Sequence, residues 1–232
     1  MGKISILDQA RKEGRTILTE FESKRILKQA GISVVETKLA KTQKEAVSLS
    51  QKMGFPVALK IASPDVVHKS DSGGVKLSLN NMAQVRKAYD EILKKVRRQY
   101  PGAVVHGVSV QKMVRPGTEV IVGTSKDPQF GPVIMFGLGG IFVELLKDVS
   151  FRVIPVERKD AQEMINDIKG YPLLQGYRGK EPASISALVE IILKVSKLIE
   201  ENPQIKELEL NPIFAYRDKA VGVDARIILE KD

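Results

Sequence analysis

The chain has no cysteine, which excludes a disulfide framework, thiolate catalysis and any cysteine-type zinc site. It has only two histidines, and aromatic residues make up 5% of its 232 residues. No stretch approaches the roughly 18 unbroken apolar residues that a membrane span needs. Met1-Gly2-Lys3-Ile4 does not open the apolar core of a signal peptide. The expectation is a cytoplasmic protein with no membrane partner. There is no internal repeat and no low-complexity segment either.

What is present is charge, at 28% of residues with a net +9. A basic nucleic-acid binder gathers its cations in stripes and interleaves them with stacking aromatics. Here acids interleave with bases along the chain, and the densest run, Lys94-Lys95-Val96-Arg97-Arg98, fits a helix C-terminus, where cations complement the dipole. Nucleic acid is therefore not an expected partner. A positive field also suits small polyanions such as ATP or a CoA thioester.

One stretch organises the rest: Ala58-Leu59-Lys60-Ile61-Ala62, a loop Ser63–Ser72 containing His68, then Gly73-Gly74-Val75. A period of two sets the Lys60 ammonium on the face opposite Leu59 and Ile61. A lysine there either snorkels to water or meets an anion, and a nucleotide phosphate is the candidate. Gly73 and Gly74 either make a turn or let backbone N–H groups approach phosphate oxygens. The working hypothesis is a phosphoryl-transfer site that contains a histidine.

Around this stretch, periodicity and capping signals predict a leading helical arm over 1–17 and a helix from Thr19, with a Thr19/Glu22 capping box, to Gly31. Further strands are expected at Ile32–Thr37, Phe55–Ala62 and Val75–Leu79, and helices at Thr42–Met53 and Gln84–Gln99. Then come strands at Val104–Val114, Glu119–Gly123, Pro132–Phe136 and Phe151–Val156. Two more helices, Lys159–Ile168 and Ser184–Glu200, precede closing strands at Glu207–Phe214 and Ala220–Leu229; Gly170–Pro182 reads as a surface loop. The expected organisation is an arm over 1–18, one α/β subdomain over 19–112 and a second over 113–232.

The closing hairpin permits a register. With Arg217-Asp218 as the turn, Tyr216 lies opposite Lys219, Asn211 opposite Asp224 and Glu209 opposite Arg226, all four of the latter on one face. The other face is expected to carry Leu208, Leu210 and Phe214 with Val221, Val223, Ala225 and Ile227. Asn211 and Asp224 then suit Mg²⁺, which takes oxygen ligands and shares them with substrate phosphates. The alternative is a solvent-facing hairpin with a Glu209–Arg226 cross-strand pair.

With both clusters in view, the chain resembles the ATP-grasp subunits of ADP-forming acyl-CoA synthetases, most closely the β subunits of the acetate–CoA ligases of that class. The resemblance runs through Leu59-Lys60-Ile61, His68 to Val75, Gly117-Thr118-Glu119-Val120, Asp127 to Pro132, Phe136 to Gly140, and Glu209-Leu210-Asn211-Pro212. It implies an α+β ATP-grasp fold, with the nucleotide clamped between two subdomains. It implies phosphate contact by Lys60 and reading of the adenine edge by the Gln111–Val114 segment, Met113 and Val114 included. Glu119 would bind the ribose hydroxyls, and Asn211 and Asp224 the magnesium. Glu209 would steady a phosphohistidine, and His68 would relay the phosphoryl group to Mg-ADP. Succinyl-CoA ligases carry a different glycine-rich loop where His68 lies, which disfavours a succinate enzyme.

His106 matches nothing of this kind and reads as structural. Gly137-Leu138-Gly139-Gly140 lacks the third glycine and the βαβ setting of a dinucleotide fingerprint. No CoA-binding fingerprint occurs in the chain, so the family implies a separate α subunit carrying the CoA and acyl domains, in an α₂β₂ assembly. The alternatives are a stand-alone ATP-grasp carboxylate ligase, which leaves His68 without a role, and a non-catalytic nucleotide-binding regulatory subunit.

Overall fold

The structure, a computed structural model, describes residues 5–66, 69, 71–140, 147–179 and 181–231. They fall into two compact units: Met1–Leu18, Glu22–Val34 and Pro116–Asp232 in the larger, Thr19–Phe21 and Val35–Arg115 in the smaller. The helix that begins at residue 20 thus shares its residues between them.

In the smaller unit, β1 (Thr37–Ala40), β2 (Val57–Ala62), β3 (Val75–Leu79) and β4 (Gly107–Lys112) form an antiparallel sheet in the order β1-β4-β2-β3. The Thr42 side chain accepts from the N–H of Glu45 at 3.1 Å and starts α3 (Gln43–Met53), which stops at Gly54 with φ +80°. A positive φ of that kind is tolerated by glycine, which has no Cβ. Asn81 caps α4 (Met82–Gln99) in the same way, two residues before the expected start. Val85, Ala88, Tyr89, Ile92 and Val96 of α4 are buried at helical spacing. They pack with Val57, Leu59, Ile61, Val108 and Val110 from one face of the sheet.

The expected strand at Ile32–Thr37 joins a ladder only at its last residue, with one isolated bridge before it, Val34 to Gly222. Ile32 and Val35 are buried, yet the ladder with β4 begins only at Thr37, opposite Gln111. An apolar run that serves as a buried connection has the same pattern as a strand. On the sheet's edge, β3 carries a bulge. Val57 pairs with Leu79 and Leu59 with Lys76, so Leu77 and Ser78 together face Ala58. Ser78 takes φ +56° there, and its N–H points to the Met113 sulfur at 3.1 Å.

The larger unit holds a sheet in the order β10-β8-β5-β6-β7, all antiparallel, with β9 also on β8. Its strands are β5 (Thr118–Asp127), β6 (Gly131–Leu138), β7 (Val149–Val153), β8 (Ile205–Ala215), β9 (Ala220–Gly222) and β10 (Ala225–Leu229). On one face lie α5 (Arg158–Asp167) and α7 (Ile185–Glu201), whose buried Met164, Ile165, Leu188 and Ile192 share a core with Val122, Phe136, Leu208 and Leu210. A leading helix α1 (Ile6–Lys12) and the later residues of α2 (Glu20–Gln29) add Leu7, Ala10, Ile26 and Leu27 to that core. The stretch expected as a loop at 170–182 contains one short helix, α6 (Tyr171–Leu174). Among the described residues no helix is long and apolar enough to cross a membrane.

Candidate functional site

Lys60 sits on β2, between β3 and β4, directly across from Val75 and Ser109. Alternation turns Leu59 and Ile61 into the helix-covered core, so Lys60 belongs to the other face, with Gln111 one strand away opposite Ala58. Lys60 is nonetheless only 6% exposed. A buried ammonium needs an anion, and the structure supplies one from the protein: Nζ donates to Oε1 of Glu20 at 2.8 Å. The other carboxylate oxygen of Glu20 accepts from Lys69 Nζ at 3.1 Å. His68 lies outside the described residues.

The two glycines do different work. Gly73 has φ +65°, a conformation that favours glycine, and a Cβ there would meet the Lys95 side chain at 2.6 Å. A Cβ on Gly74 would come 2.6 Å from Ile61 Cγ2 and 3.1 Å from the Lys69 carbonyl. The Gly74 N–H donates to that carbonyl at 2.7 Å, and the Gly74 carbonyl accepts from Ile61 at 2.7 Å. The Gly74 N–H is therefore engaged in closing the loop, not turned towards a phosphate. Gln111 is buried, paired between Thr37 and Ala58. Just after it, the Met113 N–H donates to Pro56 O at 3.2 Å, and Met113 and Val114 are half-buried.

In the larger unit, Glu119 stands exposed near the start of β5, against the glycine stretch at the end of β6. Its carbonyl accepts from the Gly139 N–H at 2.8 Å. A Cβ on Gly139 would lie 3.0 Å from Glu119 Cβ, and one on Gly140, where φ is +63°, 3.3 Å from its Oε2. The sequence offered these glycines no role; the structure uses them to lie flat beside a carboxylate. Gly117, Thr118, Glu119, Leu138, Gly139, Gly140 and Leu173 line a pocket of about 250 Å³. Leu173, from α6, had no signal in the sequence.

The closing hairpin has the expected register. The Tyr216 N–H donates to Lys219 O at 2.8 Å, Glu209 pairs with Arg226, and the Asn211 N–H reaches Asp224 O at 3.3 Å. Arg226 donates to Glu209 Oε2 at 2.8 Å, and the Asn211 amide nitrogen to Glu209 Oε1 at 3.2 Å. The facing of the apolar residues differs from the expectation beyond Asn211. Ile213, Ala215 and Ala220 are buried, whereas Phe214, Val221 and Val223 are half-buried. The reason is a bulge: β5 advances two residues from Val120 to Val122 while β8 advances three, from Ile213 back to Leu210. One added residue reverses which parity faces the core.

This donor set fits magnesium. The side chains of Glu209 and Asn211 on β8, and of Asp224 just before β10, offer hard oxygens in register across the hairpin. Among the described residues no group of three or more His, Asp or Glu could hold a metal unaided. An ion here would need ligands from a substrate, the habit of magnesium with phosphates.

A family model described as an ATP-grasp domain matches residues 9–229. The chain is 53% identical over 224 residues to acetate–CoA ligase (ADP-forming) I subunit beta of Pyrococcus furiosus, covering 97% of this chain and 96% of that one. It superposes with TM-score 0.94 at 49% identity on the dinucleotide-forming acetyl-coenzyme A synthetase 1 of Ca. Korarchaeum cryptofilum bound to coenzyme A and Ca-AMPCP. That match covers 97% of this chain and 98% of that one. A second structure of the same enzyme holds Mg-AMPPCP, with a phosphohistidine segment pointing towards the nucleotide-binding site; it matches with TM-score 0.86 at 46% identity, over 97% and 98% of the two chains.

Proposed function

The chain belongs to the ATP-grasp family as a β subunit of the ADP-forming acetate–CoA ligase type, and on that premise we propose that it passes a phosphoryl group through His68 to Mg-ADP. The overall reaction is acyl-CoA + ADP + phosphate = carboxylate + CoA + ATP. In the step assigned to this chain, the bond between an imidazole nitrogen and phosphorus breaks as a terminal ADP oxygen bonds to phosphorus. The nitrogen keeps the electron pair and is ready to accept the next phosphoryl group. Imidazole suits both directions, because near neutral pH it offers a nucleophilic nitrogen.

Lys60 contacts the phosphates, and the Gln111–Val114 segment reads the adenine edge with its backbone. Glu119 takes the ribose hydroxyls into the pocket beside Gly139 and Gly140. Asn211 and Asp224 hold the magnesium ion, which neutralises phosphate charge when bound. Glu209, oriented by Asn211 and Arg226, steadies the phosphohistidine. The observation that carries this reading is the hairpin register, which sets Glu209 opposite Arg226 and Asn211 opposite Asp224. The α subunit brings the CoA and acyl sites in an α₂β₂ assembly, and the cytoplasm, which supplies ADP and CoA thioesters, is its compartment. A stand-alone carboxylate ligase and a regulatory subunit both leave His68 idle and are not favoured.

The test is incubation with γ-labelled ATP and Mg²⁺, with the α subunit present and absent. Acid-labile, alkali-stable label on the parent chain that disappears in His68→Ala is the expected result. A parent chain that binds nucleotide yet stays unlabelled in both arms would sink the relay.

A further inference from the structure

The nucleotide reading leaves one feature of the smaller unit unused: a buried carboxylate with two lysines on it. Glu20, the first residue of α2, is 4% exposed. Its Oε1 accepts from Lys60 at 2.8 Å and its Oε2 from Lys69 at 3.1 Å. Lys69 is fixed a second time through its backbone. Its carbonyl accepts from the Gly74 N–H at 2.7 Å and from the Ser72 hydroxyl at 2.9 Å. The lysine nearest the phosphate role and a lysine of the following loop are thus held by the two oxygens of one side chain.

An ammonium group on a four-carbon stem has many rotamers, and ordering it on a ligand costs binding free energy. A carboxylate that already holds the group removes that cost before the ligand arrives. A carboxylate in contact also keeps a buried lysine charged, where burial alone favours the neutral amine. Glu20 takes one of the three donors of each ammonium.

We infer that Glu20 is a positioning residue for the nucleotide phosphates, holding Lys60 and Lys69 side by side as a preformed pair of cations for a nucleoside di- or triphosphate. Lys69 becomes the second phosphate-contacting cation, and Gly74 and Ser72 hold its backbone in place. The inference rests on the nucleotide reading above.

The rival role is purely structural, an ion pair that only fastens Glu20 to β2. A double-mutant cycle separates the two, read as Mg-ADP affinity of the full chain by titration calorimetry. Glu20→Gln keeps size and hydrogen-bonding capacity while removing charge. In the parent it should weaken Mg-ADP binding about tenfold; in a Lys60→Met/Lys69→Met background, where both lysines it positions are gone, by less than about twofold. Equal losses in the two backgrounds, or no loss in the parent, overturn the inference. Lys69→Met, whose side chain is less buried than the other two, guards against a variant that fails to fold. It should weaken binding about fivefold, and unchanged affinity overturns the paired-cation arrangement. A parent chain without affinity for Mg-ADP overturns the nucleotide reading itself, and this inference falls with it.

Discussion

The two ion pairs at the proposed site, Glu209–Arg226 in the larger unit and Glu20–Lys60 in the smaller, have the same 2.8 Å separation and opposite settings. The first joins neighbouring strands of a hairpin, with side chains 34% and 45% exposed. The second joins a strand to a helix start 40 residues earlier, with side chains 7% and 3% exposed. Water screens the first and makes it worth little. The second has lost its hydration, so removing Glu20 takes away the carboxylate that faces the buried Lys60 ammonium. Pairs of equal length therefore differ in what their removal does, and only the surroundings tell them apart.

Five substitutions would break or sharpen that contrast. Glu20→Ala, which takes the carboxylate away from buried Lys60, should cost about 3–5 kcal/mol of unfolding free energy, seen as a lower urea midpoint with unchanged slope. Asp224→Ala removes a proposed magnesium ligand and should slow phosphoryl transfer about 100-fold, measured as single-turnover rate at saturating Mg-ADP with a near-parental melting temperature. Gly74→Ala would push a methyl group into Ile61 and should cost about 1–3 kcal/mol, whereas Gly102→Ala, with nothing within 4 Å of its Cβ, should stay within about 0.5 kcal/mol in the same denaturation assay. Arg226→Met, at the exposed pair, should change stability by no more than about 1 kcal/mol; a loss as large as that from Glu20→Ala would dissolve the contrast.

Legibility in the sequence followed the range of the interaction. The hairpin register from Tyr216–Lys219 to Glu209–Arg226 was readable because turn and alternation are local. The starts of α3 and α7 were readable because Thr42 and Ser184 cap them within three residues. Lys60 announced that an anion was needed but not which one, since Glu20 is brought to it only by tertiary folding. The exchange of Phe214 for Ile213 in the core was hidden because the bulge depends on how β5 pairs with β8, strands some ninety residues apart in the chain. Ile32–Thr37 misled because burial selected Ile32 and Val35, while Val34 makes only an isolated bridge.

The bulge on β3 has a consequence for solubility. An edge strand offers unpaired backbone donors and acceptors to any passing chain, a hazard that is greatest when the strand is straight and apolar. β3 lies at the rim of its sheet and carries Leu77, 58% exposed. At that point Ser78 twists out of extended geometry and its N–H is taken by Met113. A second copy attempting to add a strand would lose the ladder after Lys76. The kink beside the proposed adenine segment thus doubles as a guard against strand-to-strand association, and straightening it should favour aggregates before it harms the fold.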